Sequence, residues 1–397
     1  MDIFFELSTN KVQETPTLFK RYLLKELPRG QRLVIVKGAR GSGKTTMLLQ
    51  YIKETCLPAQ KALYLSLDDI LISTVSISEL ADKFYKGGGQ LLVLDEVHKY
   101  PDWSREIKTI YDRYSKLQLL ITCSSALMLS EGAADLSRRS LVFNFNELSL
   151  REFIELKYGI TFPAFSLKEI TDNHEVLTKE IVSKIKPLMA FNEYLQYGAF
   201  PFFIQGQEYY SKRLAQVIAL ILESDLPAID NIAYGTVVKL RKLLGIIAES
   251  VPFKPNITEL SHKVDTTRDQ LLRLLYLLEK ASVIYQLRND SFGMSFLTKP
   301  EKIYLHNPNI AKSITYSNTN RGTDRETFFV NQLSAMHKIV FSPAGDFLVD
   351  NTVTFEIGGK NKQRKQIQGL ENAFLVKDDI EYGTGNTIPL WLFGFLY

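Results

Sequence analysis

Gly38, Gly41, Gly43, Lys44 and Thr45 stand in the spacing G-x-x-x-x-G-K-T, directly after the apolar run Leu33, Val34, Ile35 and Val36. That spacing is what a phosphate-binding loop requires. The glycines open backbone conformations closed to other residues, so that N–H groups along Gly38, Ala39, Arg40, Gly41, Ser42 and Gly43 can point inward at phosphate oxygens. Lys44 would reach the β and γ phosphates of ATP, Thr45 would hold Mg²⁺, and the helix running on through Thr46 would present its N-terminus to the anion.

A second set of residues suits the same chemistry. Leu91, Leu92, Val93 and Leu94 run straight into Asp95 and Glu96, the pattern of a buried parallel strand that delivers acids to its C-terminal edge. Asp95 would hold Mg²⁺ through its water shell, and Glu96 would polarise the attacking water as general base. The strand QLLITCSS ends in Ser124 and Ser125, polar groups at the edge where a γ phosphate would sit. Arg138 and Arg139 precede LVFNFNEL. An arginine there can neutralise charge on the transferred phosphoryl group, including across a subunit boundary, or be a solvated basic turn.

A third constellation lies near the C-terminus. Glu326 sits in the helical stretch RETFFVNQL, Asp346 follows a turn in GDFLVD, TFEIGGKNK supplies Glu356 and Lys360, and Gln366 begins another segment. An Asp and a Glu on a bent hairpin can hold a metal ion while a nearby Lys assists the attacking water. Nucleases of that kind place the lysine two residues after the Glu, which here is Gly358. Lys360 points to the same face but is displaced by about 7 Å along a strand, unless a bulge at Gly358 and Gly359 shortens the gap. Lys360, Lys362, Arg364 and Lys365 form a basic run able to follow a phosphate backbone.

The elements that must position these groups follow in order. LFKRYLLKEL within residues 11–28 is apolar at helical spacing and predicts a helix before the first strand, with Arg21 able to face the nucleotide but expected as a solvated charge. Met47, Leu48, Tyr51 and Ile52 share one helix face. A strand at 62–69 is taken as the one lying between the loop strand and the acid strand. That order belongs to the ATPase branch of P-loop proteins rather than to small-molecule kinases, whose arginine-rich lids have no counterpart here. Trp103, Ile107, Ile110, Tyr111 and Tyr114 make 103–115 an amphipathic helix.

The loop GARGSGKTT, the segment LDEVHKYPDW, the strand LLITCSS, the SRR step and LSLREFIEL together resemble a widespread group of prokaryotic AAA-type ATPases. Members carry a C-terminal domain of unknown function with a restriction-endonuclease-like fold. The resemblance implies ATP and Mg²⁺ at Lys44, Thr45, Asp95 and Glu96, a sensing role near Ser124 or Ser125, and an acting arginine at Arg139. Arg138 stands where the family usually has glycine and Ala39 where the loop often has proline. Asp225, Leu226 and Pro227 match a step common in the family. The implied fold is an α/β P-loop parallel sheet over 1–160, a helical lid or connector over 161–250, a winged-helix-like module over 251–297 and a small nuclease-like α/β domain over 298–397.

The winged-helix expectation also has local support. A short helix at 258–263, a turn, a longer helix from Thr266 carrying Leu271, Leu275 and Leu278, and the strand-like VIYQL follow one another. Thr266, Thr267, Arg268 and Gln270 would open a recognition helix, with Arg268 and Arg273 toward phosphates and Asp265 and Asp269 opposing them. The closing IPLWLFGFLY reads as a buried final strand.

With 397 residues the chain is long for one core. A net charge of +4 is too small to argue for nucleic acid from the total, so only local patches bear on it. Cys56 and Cys123 form no framework and are expected as small buried residues. No signal peptide or membrane-length apolar run is found, which makes the cytoplasm the expected location. The function expected is Mg²⁺-dependent ATP binding and hydrolysis coupled to action on DNA or a protein, with homo-oligomers left open. The alternative is a slow ATP-bound switch whose C-terminal modules dock a partner without cleaving DNA.

Overall fold

The computed structural model describes residues 1–72, 75–125, 136–227, 232–250, 252–289, 298–315 and 320–397. Two compact units divide the chain: residues 1–147 with 224–232, and residues 148–223 with 233–397. Among the described residues no helix is long and apolar enough to cross a membrane.

The first unit is built on a parallel sheet. Its strands are β1 (Leu33–Gly38), β2 (Ala62–Ser66), β3 (Leu91–Asp95), β4 (Gln118–Ser124) and β5 (Leu141–Phe145), in the order β2-β3-β4-β1-β5. The strand between the loop strand and the acid strand is therefore β4, and β2, expected there, pairs only with β3 at the edge. An edge strand this apolar needs cover, and α1 (Asp2–Glu14) supplies some: the Ser8 hydroxyl accepts from the Tyr64 N–H at 2.9 Å. The helix expected over 11–28 is instead α1 followed by the single turn α2 (Leu23–Glu26). Its apolar residues serve two short elements, because Pro16 and Pro28 interrupt the stretch.

Side chains alternate across each strand, so one sheet builds two cores. Leu33, Ile35, Leu92, Leu94, Leu119 and Ile121 pack with α4 (Ile77–Lys86) and α5 (Trp103–Arg113) through Leu80, Phe84, Ile107 and Ile110. Val34, Val36, Leu91, Val93 and Leu120 face α3 (Lys44–Thr55) through Met47, Leu48, Tyr51 and Ile52. Each such side chain contributes about 1.5–3 kcal/mol when fully buried, which fixes the loop after β1 and the acids after β3 at one sheet edge.

The second unit opens with α6 (Leu150–Tyr158) and α7 (Leu167–Lys184), each started by a reciprocal capping box, Ser149 with Glu152 and Ser166 with Glu169. Helices α8 (Pro187–Tyr197), α9 (Tyr210–Leu220) and α10 (Tyr234–Ser250) follow. Then come α11 (Ile257–Lys263), α12 (Arg268–Lys280) and the antiparallel pair β6 (Ile284–Leu287) and β7 (Lys302–Leu305). Thr267 is the N-cap of α12, its hydroxyl accepting from the Gln270 N–H, and Arg268 and Arg273 are exposed. Residues 251 and 290–297 of the expected winged module lie outside the described residues, as do Asp135 before the SRR step and 228–231 after Pro227.

After α13 (Pro308–Thr315) and α14 (Arg321–Ser334), a mixed sheet forms from β8 (Ile339–Phe341), β9 (Phe347–Val349), β10 (Val353–Gly358), β11 (Ala373–Lys377) and β12 (Thr387–Pro389) in sequential order. β8, β9 and β10 are antiparallel, whereas β10, β11 and β12 run parallel. The expected final strand is only β12. Residues Leu390–Phe395 turn into a buried 3₁₀ helix, so the apolar end is covered but not extended.

Candidate functional site

The sheet order brings the glycine loop and the acid pair together. Gly38 closes β1 beside Ser124 of β4 and Phe145 of β5. A Cβ on Gly38 would lie 2.3 Å from the Phe145 carbonyl oxygen, so the close approach of β5 requires glycine there. Gly41 and Gly43 have φ of 82° and 98°, left-handed conformations that turn N–H groups toward a common centre. Ser42 is buried, its hydroxyl donating to the Ala39 carbonyl at 2.7 Å. Arg40 sends its guanidinium to Asp225, while Ala39 is buried.

Lys44 is 4 % exposed and donates to the Gly38 and Ala39 carbonyls at 3.0 and 3.1 Å. Its Nζ also stands 3.8 Å from Glu96 Oε1. Thr45 donates to Asp95 Oδ2 at 2.6 Å, and Thr46, next on the helix, is exposed. Asp95 also accepts from the Tyr64 hydroxyl at 2.9 Å and from Thr122. Burial, then the Asp95 charge, pushes the Tyr64 phenol up, so it stays a donor. Glu96 adopts φ 56°, a left-handed conformation uncommon for this residue, with its N–H donating to Thr122 Oγ1 at 3.0 Å.

These groups fit a magnesium nucleotide. A hydroxyl and a carboxylate in direct contact would be the protein's share of a Mg²⁺ site completed by phosphates and water. Such a site is not a carboxylate cluster, and among the described residues no group of three or more His, Cys, Asp or Glu suits a metal. At the end of β4, Ser124 Oγ is buried and has no hydrogen-bond partner among the described residues, and Ser125 is half-buried beyond it.

Arg139 lies elsewhere in this unit, paired with Asp112 of α5 at 3.1 Å, and Arg138 is exposed. Arg21, expected as a solvated charge, is 4 % exposed. It donates to the carbonyls of Ser42, Asn146 and Glu147 at 2.7, 2.7 and 2.9 Å and stacks on Phe145, so it ties the loop to the end of β5. Asp225 arrives from the segment that rejoins this unit. It pairs with Arg40 at 3.1 Å and Lys99 at 3.2 Å. Burial alone would push its carboxyl up, but His98, Arg40 and Lys99 outweigh that and hold it down to about 2. Sequence reasoning missed Tyr64, Thr122 and His98, and singled out Asp225 only as part of a family step, without a role. Thr122 carries no local signal beyond being polar inside an apolar strand.

In the second unit Lys302 of β7 stands 3.3 Å from Glu326 and 3.4 Å from Asp346, and Tyr304 donates to Glu326 at 2.8 Å. Burial first, and Asp346 with it, raises the Glu326 carboxyl. Burial opposes the Lys302 charge, but the two acids outweigh it and raise its pKa. Asp346 Oδ2 accepts from the Ile357 N–H at 2.8 Å, which docks it on β10 beside Glu356. Lys360 does not join them. β10 ends at Gly358 and Lys360 is exposed in the turn that follows, so there is no bulge to draw it back. Lys362 pairs with Glu356 at 2.5 Å and donates to Gln366 at 3.1 Å. A Cβ on Gly358 would lie 2.4 Å from Lys362 Cβ, so the missing side chain makes room for that lysine. Arg364 of the basic run donates to the Ala373 carbonyl. Of the two cysteines, Cys123 is buried as expected and Cys56 is exposed.

Residues 30–154 match the family model of an AAA domain, and residues 188–321 match that of a domain of unknown function, DUF8612. No curated protein matches. Similar solved structures include a replication initiator DnaA bound to AMPPCP and single-stranded DNA, at 16% identity, covering 69% of this chain and 88% of that one with a TM-score of 0.28. The Aeropyrum pernix Orc1 protein in complex with DNA is 12% identical over 83% of this chain and 93% of its own, with a TM-score of 0.30. A katanin structure, described for self-assembly, is 16% identical over 48% and 69%, with a TM-score of 0.26. Values this low carry neither topology nor function across. The family model in the second half is one of unknown function and gives no support to the expected nuclease-like fold. What the strand order, the glycine loop and the family match agree on is that the N-terminal unit contains an α/β P-loop domain of AAA type.

Proposed function

We propose that the chain is a Mg²⁺-dependent ATPase whose second unit docks a partner rather than cleaving DNA. The observation that carries the first half is the meeting of Thr45 with Asp95 at 2.6 Å while Lys44 stands 3.8 Å from Glu96. Bound Mg²⁺, held by Thr45 and through water by Asp95, would draw charge from the β and γ phosphates. Loop N–H groups and Lys44 hold the phosphate oxygens. Glu96 takes the proton of the attacking water as the new oxygen–phosphorus bond forms and the bond to ADP breaks, leaving ADP and phosphate. Phosphate release measured for wild type against Glu96→Gln, with and without DNA, tests it.

Ser124 is the γ-phosphate sensor in this scheme, since its buried hydroxyl has no other described partner. A hydrogen bond to a charged group is worth about 1.5–3 kcal/mol, so Ser124→Ala should lower the turnover number by about ten- to a hundredfold. ATP affinity, set mostly by the loop, should stay near wild type. Unchanged turnover would remove Ser124 from the site.

Arg139 is proposed to act on the nucleotide of a second copy in a homo-oligomer; within its own chain it pairs with Asp112. In the second unit, α11, α12 and the β6–β7 pair support a winged-helix-like module. Helix α14 followed by an antiparallel meander and a parallel strand supports a nuclease-like fold. Each of its acids is engaged by a lysine, Glu326 and Asp346 by Lys302 and Glu356 by Lys362. That favours a docking surface for DNA or a protein. Incubation of the full chain with plasmid DNA and Mg²⁺ or Mn²⁺ should give no nicking above the Asp346→Ala background. Nicking that both Asp346→Ala and Glu356→Ala abolish would establish a nuclease instead.

A further inference from the structure

His98 is the one buried histidine of the first unit, with a side chain 0 % exposed, and neither ring nitrogen makes a hydrogen bond among the described residues. A buried imidazole in that condition is costly, because each unmet polar group forfeits about 1–3 kcal/mol of solvation. Such a group calls for an explanation in what surrounds it. Both acids approach the same ring nitrogen: Nε2 stands 3.4 Å from Glu96 Oε2 and 3.8 Å from Asp225 Oδ1, and Nδ1 meets neither.

The two acids are not equivalent. Asp225 is 1 % exposed and anchored by Arg40 and Lys99, and the Ser224 hydroxyl beside it also accepts from Lys99 at 3.3 Å. It closes the π-helical turn Ile221–Asp225, a distortion often found at functional sites. Glu96 has a side chain 21 % exposed and, as its cation among the described residues, Lys44 at the longer distance of 3.8 Å. An Nε2 shared between a carboxylate fixed by two cations and a freer one is placed to orient Glu96.

We propose, resting on the ATPase reading of this site, that Asp225 is a positioning residue that acts through His98 to set the Glu96 carboxylate for the attacking water. Neither His98 nor Asp225 touches the reacting atoms. With the Nε2 proton turned to Glu96, Asp225 supplies the negative charge that keeps the ring in register, and Arg40 and Lys99 keep Asp225 from moving with it.

The experiment compares steady-state ATP turnover of the full-length wild type, Glu96→Gln, Asp225→Asn, His98→Gln and the Asp225→Asn/His98→Gln pair, together with the dissociation constant of a fluorescent ATP analogue. Expected is a loss of at least tenfold in kcat for Asp225→Asn and for His98→Gln, with analogue binding within threefold of wild type. The double variant should lose less than twofold beyond His98→Gln, since both act on one group. Asp225→Asn with kcat within twofold of wild type overturns the proposal, as does a kcat loss matched by lost nucleotide binding, which marks a merely structural role. Independent, multiplying losses in the double variant overturn it too. Wild-type turnover no faster than Glu96→Gln defeats the ATPase reading itself and this proposal with it, whereas normal wild-type turnover with an unaffected Asp225→Asn defeats this proposal alone.

Discussion

Glu96→Gln should reduce steady-state ATP turnover by about 10²-fold or more, the usual worth of a positioned general base, while ATP still binds. The glutamine keeps the shape and the left-handed backbone of Glu96 but cannot take a proton. Nothing it loses belongs to the ground-state grip on the phosphates, which comes from the loop and from Lys44. The effect should therefore fall on kcat with little change in KM. Lys44 even loses a negative neighbour at 3.8 Å, so affinity for the anionic nucleotide should hold or rise slightly. Equal turnover by the two proteins, with and without DNA, would leave the slow-switch alternative standing. Because Asp95 is already fixed by Thr45, Tyr64 and Thr122, the substitution should not disturb the metal ligands.

The loop and the acid pair were legible because each is local. Spacing fixes Gly38 to Thr45, and an apolar strand running into two acids fixes Asp95 and Glu96. The neighbours that complete the site come from far away in the chain. Arg40 and Asp225 are 185 residues apart, and no periodicity links them. The strand inserted between β1 and β3 could be foreseen but not identified, since β2 and β4 are both short apolar runs ending in polar residues. In the second unit Glu326, Asp346 and Glu356 come close together, but Lys360 does not join them. Strand parity favoured Lys360, but parity stops applying where β10 ends at Gly358, and Lys362 returns through a turn that the Gly-Gly pair permits. Lys302 comes from a different hairpin altogether.

Arg21 was misread for a related reason, and its burial yields the second large prediction. One arginine in an amphipathic stretch is ordinarily solvated, yet this one satisfies three backbone carbonyls at the end of β5 and in the phosphate loop. Arg21→Ala would leave those acceptors buried and strip the cation from the Phe145 face at 4.2 Å. Unmet buried acceptors and the lost stacking together put the cost at about 2–4 kcal/mol. At roughly 2–4 °C per kcal/mol for a domain of this size, thermal unfolding should begin about 10 °C lower. Arg21→Lys should recover less than half of that, because one ammonium cannot reproduce a planar fork spanning three carbonyls. The same change should weaken ATP binding, since the Ser42 carbonyl that Arg21 holds sits inside the loop whose N–H groups must converge on phosphate. A variant that unfolds within about 2 °C of wild type and binds ATP normally would show that the loop is held by its own glycines and by Ser42, not by this distant arginine.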